Sequence, residues 1–228
     1  MKRIFYSMVS CVLALSVMYG CATTSETVMK GEAYQINDAY NSVIVVKVDR
    51  QGNKVTDIAI DEAMDIMSWA DITKLKEPEA IKQEDKGVIK EKTYAKKVQI
   101  GEGIFNLVGD KYILQGGEEF SLWLKNGENA KYYVTHLQQG DYYLLNKEGV
   151  KYDTSFVESK EVLPFKAKTN LYWQEGNGTL GYKKNMELIS SYAKRYGIEG
   201  MTKADTGATL SSFDIYVNVI KKAYENAK

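Results

Sequence analysis

Thr206, Gly207, Ala208, Thr209, Leu210, Ser211 and Ser212 place hydroxyl side chains and one glycine just ahead of an amphipathic stretch. A helix N-terminus leaves backbone N–H groups unpaired and carries a partial positive charge, so it favours a phosphate. A hydroxyl-bearing residue in that place, here Thr209, can hold a phosphate or be esterified by one. Gly207 permits an unusual backbone angle or the close approach of a ligand. The same residues also make an ordinary capped helix start, with Ser211 and Ser212 as cap candidates. Residue types alone leave both readings open.

Other chemistry finds less support. His136 is the only histidine. Its neighbours Val134, Thr135 and Leu137 read as strand, which makes it a solvent-facing or hydrogen-bonded residue. One histidine does not assemble a Ser-His-Asp set or a metal site. The acidic pairs Asp61/Glu62 and Glu118/Glu119 read as solvated faces, and nothing points to hydrolytic catalysis. Lys+Arg and Asp+Glu are both 30, so no basic excess exists to attract nucleic acid. With 228 residues, 44% of them hydrophobic, the chain can bury a substantial core. Its 17 Tyr, 6 Phe and 3 Trp suit a β-rich body and offer stacking surfaces.

The first residues read as an address. Lys2 and Arg3 precede an apolar run over residues 8–17, too short to span a bilayer with ease and matched to a signal-peptide core. Met18-Tyr19-Gly20-Cys21 resembles a bacterial lipobox, in which the cysteine thiol receives a diacylglyceryl group and cleavage leaves that cysteine first. Gly20 and Cys21 fit; Met18 and Tyr19 depart from the usual leucine and small residue. The alternatives are a plain secretory signal cleaved near Ala22, or an uncleaved anchor. Cys11 leaves with the leader and Cys21 is lipidated, so the exported body has no disulfide and no thiolate metal site. The expected division is a signal peptide over 1–20, a tether over 21–32 and one domain over 33–228. Loss of Lys2 and Arg3 leaves the exported part slightly acidic.

The elements that must position Thr209 follow from periodicity. Residues 42–48 are β-branched, residues 50–53 supply turn chemistry, and residues 55–60 set Ile58 and Ile60 on one face with Asp57, Ala59 and Asp61 opposite: a hairpin. Residues 62–77 look helical, with Met64, Met67 and Ile72 as their apolar residues. Residues 78–97 read as a charged surface loop or exposed helix. A meander of antiparallel strands is expected at 111–114, 132–137, 142–145 and 150–152. A short helix over 118–125 would bury Phe120, Leu122 and Trp123. Asn185 is a cap candidate for a helix to Tyr196, its face made by Leu188, Ile189, Tyr192 and Tyr196, with Gly197 beyond its end. Phe213, Tyr216, Val217, Ile220 and Tyr224 form the stripe of a last helix from Ser211 or Ser212. The class is α+β: a twisted antiparallel sheet packed by a few helices.

Residues 206–212 match the (Ser/Thr)-Gly-Ala-Thr-x-(Ser/Thr)-Ser motif, and in this the chain resembles the FMN-binding domain family. That family includes FMN-bearing subunits of sodium-pumping NADH:quinone oxidoreductase and of Rnf-type complexes, and bacterial surface flavin lipoproteins. The segment 44–61, with its Gly52-Asn53-Lys54-Val55-Thr56-Asp57 turn and strand, looks like the family's opening hairpin. The resemblance brackets residues 33–226, with an enlarged middle. It implies that an FMN transferase takes the FMN part of FAD and joins its phosphate to Thr209. Thr206, Gly207, Ala208, Leu210, Ser211 and Ser212 would then surround the cofactor. Trp173, Tyr172, Tyr182 and Trp69 become candidates to stack on the flavin, although a single aromatic is more ordinarily core. Trp173 leads, because Gly176, Gly178 and Gly181 follow it and loop-borne aromatics often serve sites.

On this resemblance the chain is no enzyme. It is an electron carrier of the cell envelope, anchored to a membrane at Cys21, between a membrane electron donor and an external acceptor. Lys203 stands where the family usually has an aspartate, with Asp205 two residues before Gly207. The Glu-Thr-Pro-Gly segment of the pump subunits is absent, which favours a free-standing lipoprotein. The alternatives are a non-redox binding or structural lipoprotein that kept the fold without flavin, and a flavin-dependent reductase of a small molecule such as fumarate. No second catalytic domain fits in the chain, which counts against the reductase.

Overall fold

The structure is a computed structural model that describes residues 27–152, 164–166, 176 and 179–228. Its class is α+β. The central layer is an antiparallel sheet of β1 (Met29–Asn37), β2 (Ser42–Gln51) and β3 (Lys54–Ala63), in that order. The β2–β3 turn passes through Gly52 at φ 54°, a left-handed angle that suits glycine. Ile58 and Ile60 face inward while Asp57 and Ala59 are exposed, as the alternation requires.

β2 explains why its sequence is apolar without alternation. Ile44, Val46 and Val48 enter one core and Val43 and Val45 enter another, all at most 3% exposed. A strand covered on both faces reads as a continuous hydrophobic run. Each such side chain contributes about 1.5–3 kcal/mol through burial.

Two helices cover one face of this sheet: α4 (Tyr182–Tyr196) against β3, and α6 (Phe213–Glu225) against β1 and β2. Their stripe of Ile189, Ala193, Phe213, Tyr216 and Ile220 closes the first core. α6 approaches β1 so closely that a Cβ on Gly31 would lie 2.0 Å from the carbonyl oxygen of Ala223. Lys30 and Lys228 exchange backbone hydrogen bonds at 3.2 and 3.4 Å. Residues 29–32, expected in the tether, are therefore paired strand.

The other face packs on α1 (Ile66–Trp69), α3 (Gly127–Gln139) and a second sheet. That sheet contains β6 (Lys97–Ile100), β7 (Gly103–Val108), β8 (Lys111–Leu114) and β9 (Tyr142–Leu145), in the order β8-β7-β6-β9. A separate hairpin pairs β4 (Lys86–Ile89) with β5 (Lys92–Ala95). Two further short α-helices are α2 (Phe120–Trp123) and α5 (Lys203–Thr206).

Several expectations need correction. Residues 132–137 are not strand but the middle of α3. Ala130, Tyr133, Val134 and Leu137 recur at helical spacing and are buried, Asn126 accepts from Glu128 N at 2.9 Å, and Gly140 ends the helix at φ 74°. Residues 78–97 hold the β4–β5 hairpin, whose turn residues Lys90 and Glu91 take positive φ without a glycine to announce it. Residues 62–77 supply the end of β3, only one turn of α-helix and a short 3₁₀ helix over Ile72–Lys74. In α2 Phe120 and Trp123 are buried but Leu122 is 54% exposed. In α4 the inward residues are Tyr182, Asn185, Met186, Ile189 and Ala193, and Tyr196 lies outside.

Candidate functional site

The 206–212 segment runs from the last residue of α5 to the start of α6. Thr202 caps α5, its Oγ1 accepting from Asp205 N at 3.2 Å. Gly207 ends α5 at φ 70°, a left-handed angle and so an unusual backbone angle of the kind its residue type permits. Thr206 is buried; its hydroxyl donates to the Lys203 carbonyl at 3.0 Å and accepts from Ala208 N at 3.2 Å. Ala208 and Leu210 are buried anchors, and Ser211 is exposed. Ser212 occupies the cap position of α6, but its side chain makes no capping hydrogen bond. Lys203 and Asp205 are both exposed on α5.

Thr209 is half-buried and turns toward the start of α4 rather than α6. Its Oγ1 accepts from Leu180 N at 3.0 Å. Its own N–H donates to Asn185 Oδ1 at 2.7 Å. Asn185 is no cap: the helix begins at Tyr182, and Asn185 sits inside it, fully buried. Its Nδ2 donates to the carbonyls of Leu180 at 2.7 Å and Gly181 at 3.1 Å. One buried amide thus fastens the loop before α4 to the backbone of Thr209. The first turn of α4 has no side-chain cap and no acidic residue, but carries the exposed Lys183 and Lys184. Cations at a helix N-terminus oppose its dipole, and an anion there would relieve both.

Beside this point opens a cleft of about 360 Å³, within the size range of small-molecule sites. Leu210, Ser211 and Ser212 form one wall, and Tyr40 and Tyr182 bring aromatic surface. At its base lies an ion pair: Lys166 Nζ is 2.8 Å from Glu62 Oε1, with the side chains 5% and 0% exposed. Glu62 also accepts from the hydroxyls of Ser42 and Tyr216 and from Asn37 Nδ2 at 3.3 Å. The Lys166 ammonium stands 4.9 Å from the centre of the Tyr40 ring. Burial pushes the Tyr182 hydroxyl well above its usual pKa, helped by Tyr216, Asp61 and Glu62. Sequence reasoning missed this cluster, because Asp61/Glu62 looks like a solvated pair and Lys166 lies far along the chain. The one available signal was Glu62 following the inward Ile60 in strand alternation.

The other candidates fall out as follows. Trp69 is fully buried, its indole N–H donating to Tyr133 OH at 2.9 Å and its ring edge-on to Tyr142, so it is a core residue. Tyr182 borders the cleft. Trp173, Tyr172, Gly178 and Cys21 lie outside the described residues. His136, on α3, pairs with Asp141 Oδ2 at 2.8 Å. Among the described residues no three His, Cys, Asp or Glu side chains are grouped to hold a metal ion, and no helix is long and apolar enough to cross a membrane. Comparison with family models, curated proteins and solved structures finds no match to this chain.

Proposed function

We propose that this chain is an extracytoplasmic electron carrier holding FMN through a phosphodiester on Thr209. The observation that carries the reading is the setting of the Thr209 hydroxyl. It sits against the uncapped, lysine-bearing N-terminus of α4, and the residue after it opens onto the ligand-sized cleft. The residues present suit such a group. The backbone N–H groups of the first turn of α4, with the exposed Lys183 and Lys184 beside them, would receive the phosphate. The aromatic and hydroxyl walls of the cleft suit a planar, polar-edged ring.

In the attachment, the phosphoanhydride of FAD breaks and a bond forms between Thr209 Oγ and the FMN phosphorus. AMP leaves, and the hydroxyl proton passes to the transferase or solvent. Once bound, the flavin supplies one- and two-electron chemistry. The chain's own residues hold it where it cannot diffuse away. Asn185 fixes the Thr209 backbone, Gly207 sets the direction of the loop, and buried Ala208 and Leu210 anchor it to the core. Lipidation at Cys21 would keep the carrier at a membrane surface, between a membrane donor and an external acceptor.

The test is intact-mass spectrometry of the mature protein co-expressed with an FMN transferase. The expected mass increase equals FMN less one water and is lost in Thr209→Ala. An unmodified mass in the presence of a transferase that labels a control protein rejects the reading.

A further inference from the structure

We infer that the cleft bounded by Tyr40, Tyr182 and Ser211 seats the flavin ring, and that the Lys166–Glu62 pair beneath it sets the ring's reduction potential. This inference rests on the flavin reading above. It adds a ring site and a tuning pair that the motif does not contain.

The placement follows from what the cleft combines. It is lined by Leu210, the residue after Thr209, and by Tyr182 at the start of α4, against which the Thr209 hydroxyl lies. Its aromatic surface comes from Tyr40, which is 53% exposed, and from Tyr182 and Tyr216, which are buried. A half-open slot of this kind admits a flat ring and leaves one edge to solvent, as exchange of electrons with outside partners requires.

The ion pair needs a reason of its own. Removing two charges from water costs several kcal/mol per ion, and apolar residues of like volume often serve stability as well or better. Here the pair has been given a dedicated shell. Ser42, Tyr216 and Asn37 all donate to Glu62, which holds the carboxylate in place, and Lys166, which lines the cleft, sets its ammonium 4.9 Å from the centre of the Tyr40 ring. Reduction of a flavin by two electrons and one proton adds negative charge to the ring. A fixed cation at the base of the cleft favours that state, and a fixed anion disfavours it. Lys166 therefore raises the potential, while Glu62 both positions Lys166 and opposes it.

The experiment measures the reduction potential of the flavinylated protein against reference dyes. Lys166→Met is expected to lower the equilibrium constant for two-electron reduction at least tenfold, about 30 mV. Glu62→Gln is expected to shift it in the opposite direction, and Lys166→Arg to stay near wild type. A merely structural role would move the first two variants the same way, or neither. Tyr40→Leu, on an exposed side chain that does not endanger folding, should raise flavin fluorescence at least twofold by removing a stacked phenol. Shifts of one sign, or unchanged potentials together with unchanged fluorescence in a flavinylated wild type, overturn this inference and leave the attachment at Thr209 standing. A wild type that takes up no flavin overturns both.

Discussion

Asn185 offers the sharpest test of how the motif segment is held. Replacement by leucine keeps the branched four-heavy-atom skeleton, so no cavity is opened. It removes the acceptor for Thr209 N–H at 2.7 Å and the donor to the carbonyls of Leu180 and Gly181 at 2.7 and 3.1 Å. Asn185 is fully buried while Thr209 and Leu180 are half-buried, so water replaces these partners only in part. A buried polar group left unsatisfied costs about 1–3 kcal/mol. With Thr209 N–H and the Leu180 carbonyl both orphaned, Asn185→Leu should cost about 3–5 kcal/mol. For a chain of this size each kcal/mol lowers Tm by about 2–4 °C, so a loss of about 6–20 °C is expected. Urea unfolding followed by far-UV circular dichroism gives the free energy, and a thermal scan gives Tm. Asn185→Asp keeps the acceptor for Thr209 and should fall between wild type and leucine. A leucine variant within 1 kcal/mol of wild type would refute the idea that this amide fastens the segment.

Three further outcomes follow from the fold. Burial raises the Asp65 carboxyl to about 6. Between the unfolded value near 3.9 and that pH, the folded state keeps a proton that the unfolded state has lost. Stability should therefore fall by about 3 kcal/mol as pH rises through this window; Asp65→Asn, which still accepts from Ser68, should remove that slope in urea titrations at pH 4.5 and 7. Gly31→Ala would drive a methyl group into the Ala223 carbonyl of α6; overpacking of this kind costs about 1–3 kcal/mol, and a fall in urea midpoint at unchanged m-value would register it. Gly101→Ala combines φ +55° with a Cβ 2.2 Å from Tyr132 OH. It should cost a similar amount, and near-UV circular dichroism should report the displaced tyrosine.

The parts legible from sequence were those whose burial is one-sided and local. Ile58 and Ile60 alternate with exposed neighbours, and Phe213, Tyr216, Val217 and Ile220 repeat at helical spacing, so β3 and α6 could be read directly. α3 was misread because Tyr132, Tyr133, Val134 and Thr135 favour strands by type. The deciding evidence was the i, i+3, i+4, i+7 burial of Ala130 to Leu137 and the Gly140 stop. Thr209 was singled out by its neighbours in the chain, yet its partners Leu180 and Asn185 come from another helix. The Glu62–Lys166 pair depends wholly on tertiary placement. No local pattern reveals that an acidic residue at the end of an amphipathic strand turns inward to meet a distant lysine.

β2 lends its alternate side chains to two different cores. Neither half of the molecule can therefore loosen without exposing apolar surface on a strand that the other half also needs. The protein should open as one cooperative unit, and the amides of residues 43–48 should exchange with solvent only through global unfolding. That rigidity bears on Glu62 as well: β3 is held in register by β2, so the carboxylate beneath the cleft is tied to the slowest-opening part of the body.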